Sequence, residues 1–365
     1  MEKIKVLVAD DSAFMRKLIQ DILSSSKQIE IVGTARNGEE AIKKIKELKP
    51  NVVTMDVEMP VLNGIEALKI IMKEAPVPVV MLSSTTKEGA ENTLLAIQHG
   101  AVDFIAKPSG PISLDLQKIS NEIIEKVLSA RKANISSLTR NLQKKESFST
   151  KMLNCSKIEP DSFDIKNNST SNWENSARKV ICIGTSTGGP RALQAVLTKF
   201  PANVEAPLLI VQHMPPGFTK SLANRLNSLS NISVKEAEDG EVLKNGTAYI
   251  SPGGYHLKVK RSSNGLIAQL DQSEPRNGHR PSVDVMFESV STIQDYAKVA
   301  VIMTGMGADG TQGLIQLKKS GKVKAIAESM ETSIVFGMPK AAIATKLVDE
   351  VQNVDDITKT ILKFV

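Results

Sequence analysis

Cysteine, histidine and tryptophan are scarce in this 365-residue chain, and each shortage narrows its chemistry. There are two cysteines, Cys155 in a polar stretch and Cys182 in an apolar run. They exclude a disulfide framework and a cysteine zinc site, and they suit the cytosol. No run approaches the ~18 apolar residues of a membrane span. The first residues, Met1-Glu2-Lys3-Ile4-Lys5, lead straight into a strand pattern with none of the features of a signal peptide. A cytoplasmic protein without membrane insertion is expected. The formal charge of +6 is scattered, not gathered into a basic motif bearing aromatics. It suits an acidic protein partner as well as it suits nucleic acid. Only His99, His213, His256 and His279 offer an imidazole for acid–base chemistry.

The length suffices for two or three domains with full cores. Residues 1–124 alternate apolar runs with helical patterns. Strands are expected at 4–9, 51–55, 78–82 and 101–105, with a weaker one at 30–34. That alternation predicts a five-stranded, doubly wound parallel sheet. Residues 125–176 read as a helix end and then a flexible linker rich in Ser, Asn, Lys and Thr, with Trp173 as a local anchor. Residues 177–365 start a second βα series, with strands at 179–183, 207–211, 246–250, 299–303 and 323–327. A hairpin is expected over 257–270, turning at Ser262-Ser263-Asn264-Gly265. The second domain is expected to be Rossmann-like.

Asp10 and Asp11 stand at the carboxyl end of the first strand and Asp56 at that of the third, the edge where open α/β sheets bind ligands. Ser83 and Ser84 end the fourth strand and Lys107 the fifth. Three carboxylates at one edge repel unless a cation sits among them, and a small oxygen cluster suits Mg2+. A lysine there neutralises added phosphate charge. Capping of the first helix would explain Asp10 and Asp11 alone, but not residues gathered from four strand ends.

Together with Val8-Ala9-Asp10-Asp11-Ser12, Met55-Asp56-Val57-Glu58-Met59-Pro60, Asn63-Gly64, Leu82-Ser83-Ser84 and Phe104-Ile105-Ala106-Lys107-Pro108, these features make residues 1–124 resemble a two-component receiver domain. The resemblance implies phosphorylation at Asp56 and Mg2+ held by Asp10, Asp11, Asp56 and the carbonyl of Glu58. It implies a phosphoryl group bonded by Ser83 and paired with Lys107. Phe104 takes the aromatic switch position, without a hydroxyl. Lys107-Pro108 is a candidate cis bond.

In the second half, Gly184-Thr185-Ser186-Thr187-Gly188-Gly189-Pro190 joins a buried strand to a helix. Free N–H groups and the positive dipole end at such a turn serve an oxyanion beside a nucleophile, or a bound phosphate. On these residues alone the two readings are even. Among the histidines, position favours His213, which follows the strand at 207–211 at the same edge as Ser186. His256 and His279 read as surface or substrate-side residues, and His99 ends a helix. Asp309 lies in Thr304-Gly305-Met306-Gly307-Ala308-Asp309-Gly310 after the strand at 299–303. Alone it reads as a turn aspartate. With Ser186 and His213 at matching edges it completes a triad. The order Ser, His, Asp differs from the Ser, Asp, His of ordinary α/β-hydrolases.

These residues resemble the catalytic domain of the chemotaxis protein-glutamate methylesterases, which are also protein-glutamine deamidases. Further pieces are Gln212-His213-Met214-Pro215-Pro216-Gly217-Phe218, Tyr249-Ile250-Ser251-Pro252-Gly253, Arg280-Pro281-Ser282-Val283-Asp284-Val285 and Phe336-Gly337-Met338-Pro339. Common family sequences have Ala where this chain has Thr185. The resemblance implies hydrolysis of γ-glutamyl methyl esters on chemoreceptors, and of glutamine amides, without a metal. It implies an oxyanion held by the backbone N–H groups of Thr187 and Met306, and phosphate from a chemotaxis histidine kinase. Arg280 would meet the acidic receptor or form a structural ion pair. Two rival readings fare worse: no helix-turn-helix pattern supports DNA binding, and no G-x-G-x-x-G with its acidic partner supports a dinucleotide.

Overall fold

The computed structural model describes residues 3–107, 116–138 and 178–365. The expected linker past residue 138, with Cys155 and Trp173, and the Lys107-Pro108 bond lie outside the described residues.

In the N-terminal domain, continuous apolar runs become buried parallel strands, as both faces of the sheet are covered by helices. The chain runs β1 (Ile4–Ala9), α1 (Ala13–Ser24), β2 (Ile29–Ala35), α2 (Gly38–Leu48), β3 (Val52–Asp56), α3 (Gly64–Glu74), β4 (Val79–Ser83), α4 (Lys87–Gln98), β5 (Asp103–Ala106) and α5 (Leu116–Ala130). The sheet order is β2-β1-β3-β4-β5, all parallel. Side chains start the helices: Ser12, Asn37, Asn63 and Thr86 each accept a hydrogen bond from the third amide onward. The fifth strand begins at Asp103, not 101, because the Ala101 N–H turns back to the Ala96 carbonyl and closes α4.

The C-terminal domain comprises β6 (Lys179–Thr185), α6 (Gly189–Leu197), β7 (Leu208–Gln212), α7 (Phe218–Asn227), β8 (Ser233–Glu236), β9 (Thr247–Ile250), β10 (His256–Ser262), β11 (Gly265–Asp271), α8 (Val283–Ser291), β12 (Ala297–Ile302), α9 (Thr311–Lys319), β13 (Val323–Glu328), α10 (Met338–Ala344), β14 (Glu350–Gln352) and α11 (Val354–Leu362). Its seven-stranded sheet, β14-β13-β12-β6-β7-β9-β8, is parallel throughout. The antiparallel β10–β11 hairpin stands apart from it. β8 and β14 carry no sequence signal because they are short edge strands; Val234 is the one buried side chain of β8.

The chain leaves β6 toward β7 on one side and returns through β12 on the other. β6 and β12 therefore flank the switch point where open α/β sheets bind ligands. Ser186 follows β6, His213 follows β7 and Asp309 lies in the loop after β12. One apolar cluster joins the domains, from Val127, Ala130 and Leu138 to Ile334 and Val335.

Candidate active site

Ser186 sits where β6 turns into α6. Its N–H donates to the Thr304 carbonyl at 3.0 Å, which ties the turn to the end of β12. Gly188 takes φ 79°, the left-handed conformation that lets the chain reverse directly into the helix. Gly305 must be glycine for a different reason: a Cβ there would fall 2.8 Å from the Ser186 Cβ.

The Ser186 Oγ lies 3.2 Å from His213 Nδ1, and His213 Nε2 lies 2.8 Å from Asp309 Oδ2. Asp309 is almost fully buried and accepts more than the imidazole. Oδ1 takes the Ser282 hydroxyl (2.8 Å) and the amides of Asp284 (3.0 Å) and Gly310 (3.1 Å), and Oδ2 takes the Val283 amide (2.7 Å). Burial works against its charge, yet the hydrogen bond from His213 and the amides at the start of α8 hold the carboxyl well below the ordinary aspartate range. A carboxylate so held is an acceptor only, so Nε2 carries the imidazole hydrogen. The Nδ1 lone pair is left facing the serine hydroxyl.

The other histidines separate clearly. His279 stacks on His213, with ring centroids 4.0 Å apart. Burial, and then the charge of His213, push His279 down to about 4, so it stays neutral beside its neighbour. His256 is not a surface or substrate-side residue. It starts β10 fully buried, with Nε2 3.2 Å from the Glu274 carbonyl, because β10 turns its first side chain into the core under the hairpin. The Arg280 guanidinium donates to the carbonyls of Gln272 and Ser273, and no carboxylate pairs with it among the described residues.

Neither the Thr187 nor the Met306 amide donates to a backbone or side-chain acceptor among the described residues. The Ser186 amide, in contrast, is committed to Thr304. The Thr304 hydroxyl donates to the Thr187 carbonyl at 2.9 Å, and its N–H donates to Glu328 at 2.8 Å. Glu328 also accepts from the Thr332 hydroxyl, and burial pushes its carboxyl up to about 7.

At the N-terminal sheet edge, Asp10, Asp11 and Asp56 bring carboxylate oxygens within 4.8 Å of one another. Asp10 Oδ2 is buried and accepts no hydrogen bond, although the Lys107 ammonium lies 3.2 Å away; the same ammonium reaches Asp56 at 2.6 Å. Burial pushes the Asp56 carboxyl up to about 6 against the pull of Lys107. An orphaned carboxylate oxygen within a hard oxygen donor set fits a small divalent cation, and the cluster is of the kind that holds Mg2+ in receiver domains. Glu58 donates its amide to Asp56 at 3.3 Å, and Ser83 turns its hydroxyl to the Gly89 carbonyl at 2.9 Å.

Residues 181–361 match the CheB methylesterase family and residues 6–117 the response regulator receiver domain. A protein-glutamate methylesterase/protein-glutamine glutaminase of Geobacillus kaustophilus is 55% identical over 365 residues, covering 100% of this chain and 99% of the relative. The chain belongs to the CheB family. The Bacillus subtilis protein of the same description is 50% identical over 98% of this chain and 97% of its own length. The Thermotoga maritima CheB methylesterase catalytic domain superposes with a TM-score of 0.50 at 45% identity, covering 52% of this chain and 100% of that one. The protein is thus a receiver-regulated chemotaxis methylesterase and glutaminase. Among the described residues, no helix is long and apolar enough to cross a membrane.

In this CheB-family chain, the two sites meet through contacts that no sequence motif reveals. The Thr187 hydroxyl donates to Asp103 at 2.5 Å, directly linking the turn of the candidate nucleophile to β5 of the receiver. Phe104 stacks on Phe218, with centroids 4.7 Å apart, and the Lys126 ammonium of α5 lies 4.8 Å from the Phe104 ring centroid. Asn134 and Ser137 bond to the carbonyls of Ile334 and Thr332. Asp103 is an ordinary strand residue in sequence; within the receiver its Oδ1 accepts the Phe104 amide and pairs with Lys126, and the docking of the domains adds Thr187 at Oδ2.

Proposed function

We propose that Ser186, His213 and Asp309 are the nucleophile, base and orienting acid of the hydrolysis, and that the substrates are γ-glutamyl methyl esters and glutamines of chemoreceptors. The observation that carries this reading is the unbroken Ser186–His213–Asp309 contact at one sheet edge. The Ser186 hydroxyl gives its proton to His213 Nδ1 as Oγ bonds to the ester carbon. The carbonyl oxygen becomes an oxyanion facing the Thr187 and Met306 amides, each worth roughly 2.7–4 kcal/mol by analogy with other hydrolases. Asp309 stabilises the imidazolium. Collapse breaks the bond to methoxide, which takes the proton from Nδ1 and leaves as methanol. Water, deprotonated by the same nitrogen, then releases the glutamate carboxylate and restores Ser186. A glutamine follows the same steps and loses ammonia.

The receiver reads as a phosphorylation-controlled cover, with Asp56 as phosphoacceptor and a chemotaxis histidine kinase as donor. Asp10, Asp11 and Asp56 with the Glu58 carbonyl would hold Mg2+, which when bound offsets the charge of phosphate and carboxylate together. Lys107 supplies a second positive charge there, Ser83 a hydroxyl for the phosphoryl oxygens, and Phe104 the aromatic that links this site to the interface. Low cysteine content favours the reducing cytoplasm for the reaction.

Methanol release from methylated receptor membranes, with and without a small phosphodonor, tests both halves. Ser186→Ala should abolish release while Asp56 still takes phosphate. Asp309→Asn should lower kcat by about 10⁴, as a wrongly held imidazole does in serine proteases. Wild-type release by Ser186→Ala would remove the mechanism.

A further inference from the structure

Thr185 and Gln212 are cross-strand partners at the last rung between β6 and β7, one residue before Ser186 and His213 respectively. Both side chains are buried, at 0% and 2% exposure. Gln212 Nε2 donates to the Ser186 carbonyl at 3.0 Å and to the His213 carbonyl at 3.2 Å, so both its hydrogens go to the two residues of the proton transfer. Its Oε1 accepts the Thr185 hydroxyl at 2.7 Å. The chain makes room for this amide: a Cβ on Gly189 would lie 1.9 Å from Gln212 Oε1.

The strand ladder ends here, with the His213 amide donating to the Thr185 carbonyl at 3.2 Å. Beyond that rung, the distance between Ser186 and His213 depends on two loops that leave the sheet separately. A primary amide bridging both carbonyls continues the ladder by one rung made from a side chain. The bridge works in one orientation only. A flipped amide would set Oε1 against two carbonyl oxygens. Thr185 supplies the donor that Oε1 needs on the opposite side, and a buried amide oxygen without one is destabilised.

We propose that Gln212 is a positioning residue for the hydrolysis, holding the Ser186 and His213 backbones at proton-transfer distance, and that the Thr185 hydroxyl fixes its orientation. The inference rests on Ser186 as nucleophile and His213 as base. Gln212 touches neither substrate nor the reacting atoms; it acts through the two backbones.

The test uses the full chain with a small phosphodonor and methylated receptor membranes, reading kcat, KM and the thermal midpoint. Gln212→Met keeps length and volume but cannot donate. It should lower kcat about tenfold to a hundredfold, the usual effect of a misplacement of about 1 Å, with KM within about twofold. Thr185→Val, which removes only the hydroxyl, should lower kcat roughly threefold to tenfold, and Thr185→Ser should recover most of that loss. In the Gln212→Met background, Thr185→Val should cost nothing further, since the partner of its hydroxyl is gone. A wild-type kcat for a folded Gln212→Met, or an undiminished Thr185→Val effect in the double variant, overturns the proposal. Should Gln212→Met lose its fold, the Thr185→Val and Thr185→Ser pair decides: equal kcat values refute the role of the hydroxyl. A Ser186→Ala control that still releases methanol would instead remove the underlying mechanism, so the two failures are distinct.

Discussion

Glu328 illustrates how one buried carboxyl ties local electrostatics to stability. Burial raises it from 4.5 to about 7 while its oxygens serve Thr304 and Thr332. A folded-state pKa above the unfolded one means that its stability contribution is complete below pH 4.5 and is lost as pH rises through about 7. Glu328→Gln keeps an acceptor for Thr304 and removes the titration. Relative to the parent, it should gain roughly 2–3 kcal/mol between pH 5 and pH 8, read by denaturant unfolding of the C-terminal domain at both values. A gap independent of pH would contradict the assignment. Val61 carries another local cost: it is 76% exposed and held at φ 68°. A β-branched residue is strained there by about 1–2 kcal/mol. Val61→Gly should raise receiver stability by about 1 kcal/mol after the entropic cost of glycine, measured as a shift of the urea midpoint.

The start of α8 (Val283–Ser291) acts as a unit. Ser282 caps the helix by accepting the Val285 amide and donates its hydroxyl hydrogen bond to Asp309, while two further amides of the same turn reach that carboxylate. Asp284, one residue into the helix, is pushed up by burial and by the neighbouring Asp309, and bonds the Gly313 amide of α9. The helix end thus gives two adjacent acids opposite tendencies, one charged and one inclined to neutrality. Ser282→Ala should cost about 1 kcal/mol as a lost cap. It should also lower kcat about tenfold, as Asp309 loses one charge-assisted hydrogen bond. Chemical denaturation and methanol-release kinetics check the two effects separately; an unchanged kcat would mean that the remaining donors suffice to hold Asp309.

For the whole molecule, the proposed cover by the receiver predicts that activity depends on how firmly the receiver stays docked. The contact combines one short hydrogen bond, Thr187 to Asp103, with the Phe104–Phe218 stack. Phe218→Leu keeps apolar volume but loses the ring pair, worth about 0.5–1.5 kcal/mol. The unphosphorylated chain should then release methanol roughly twofold to tenfold faster, with the phosphorylated rate unchanged. An unaltered basal rate would show that this stack does not restrain the enzyme.

How much of this was legible in the chain differs between the two sites and their connection. Asp10, Asp56 and Lys107, like Ser186, His213 and Asp309, were readable as a set because a parallel sheet delivers every strand end to one edge, so position along the chain implies proximity. The apolar runs determined both sheets for the same reason: a strand buried on both faces needs apolar residues at every position. The short edge strands β8 and β14 left no such trace. The tertiary structure alone decided that His213 offers Nδ1 to the serine, that His256 is buried while His279 stacks on His213, and that Gln212 joins the two loops. It also decided that Asp103 meets Thr187. Those outcomes depend on side-chain directions and on the packing of one domain against the other, neither of which a local pattern of residues encodes.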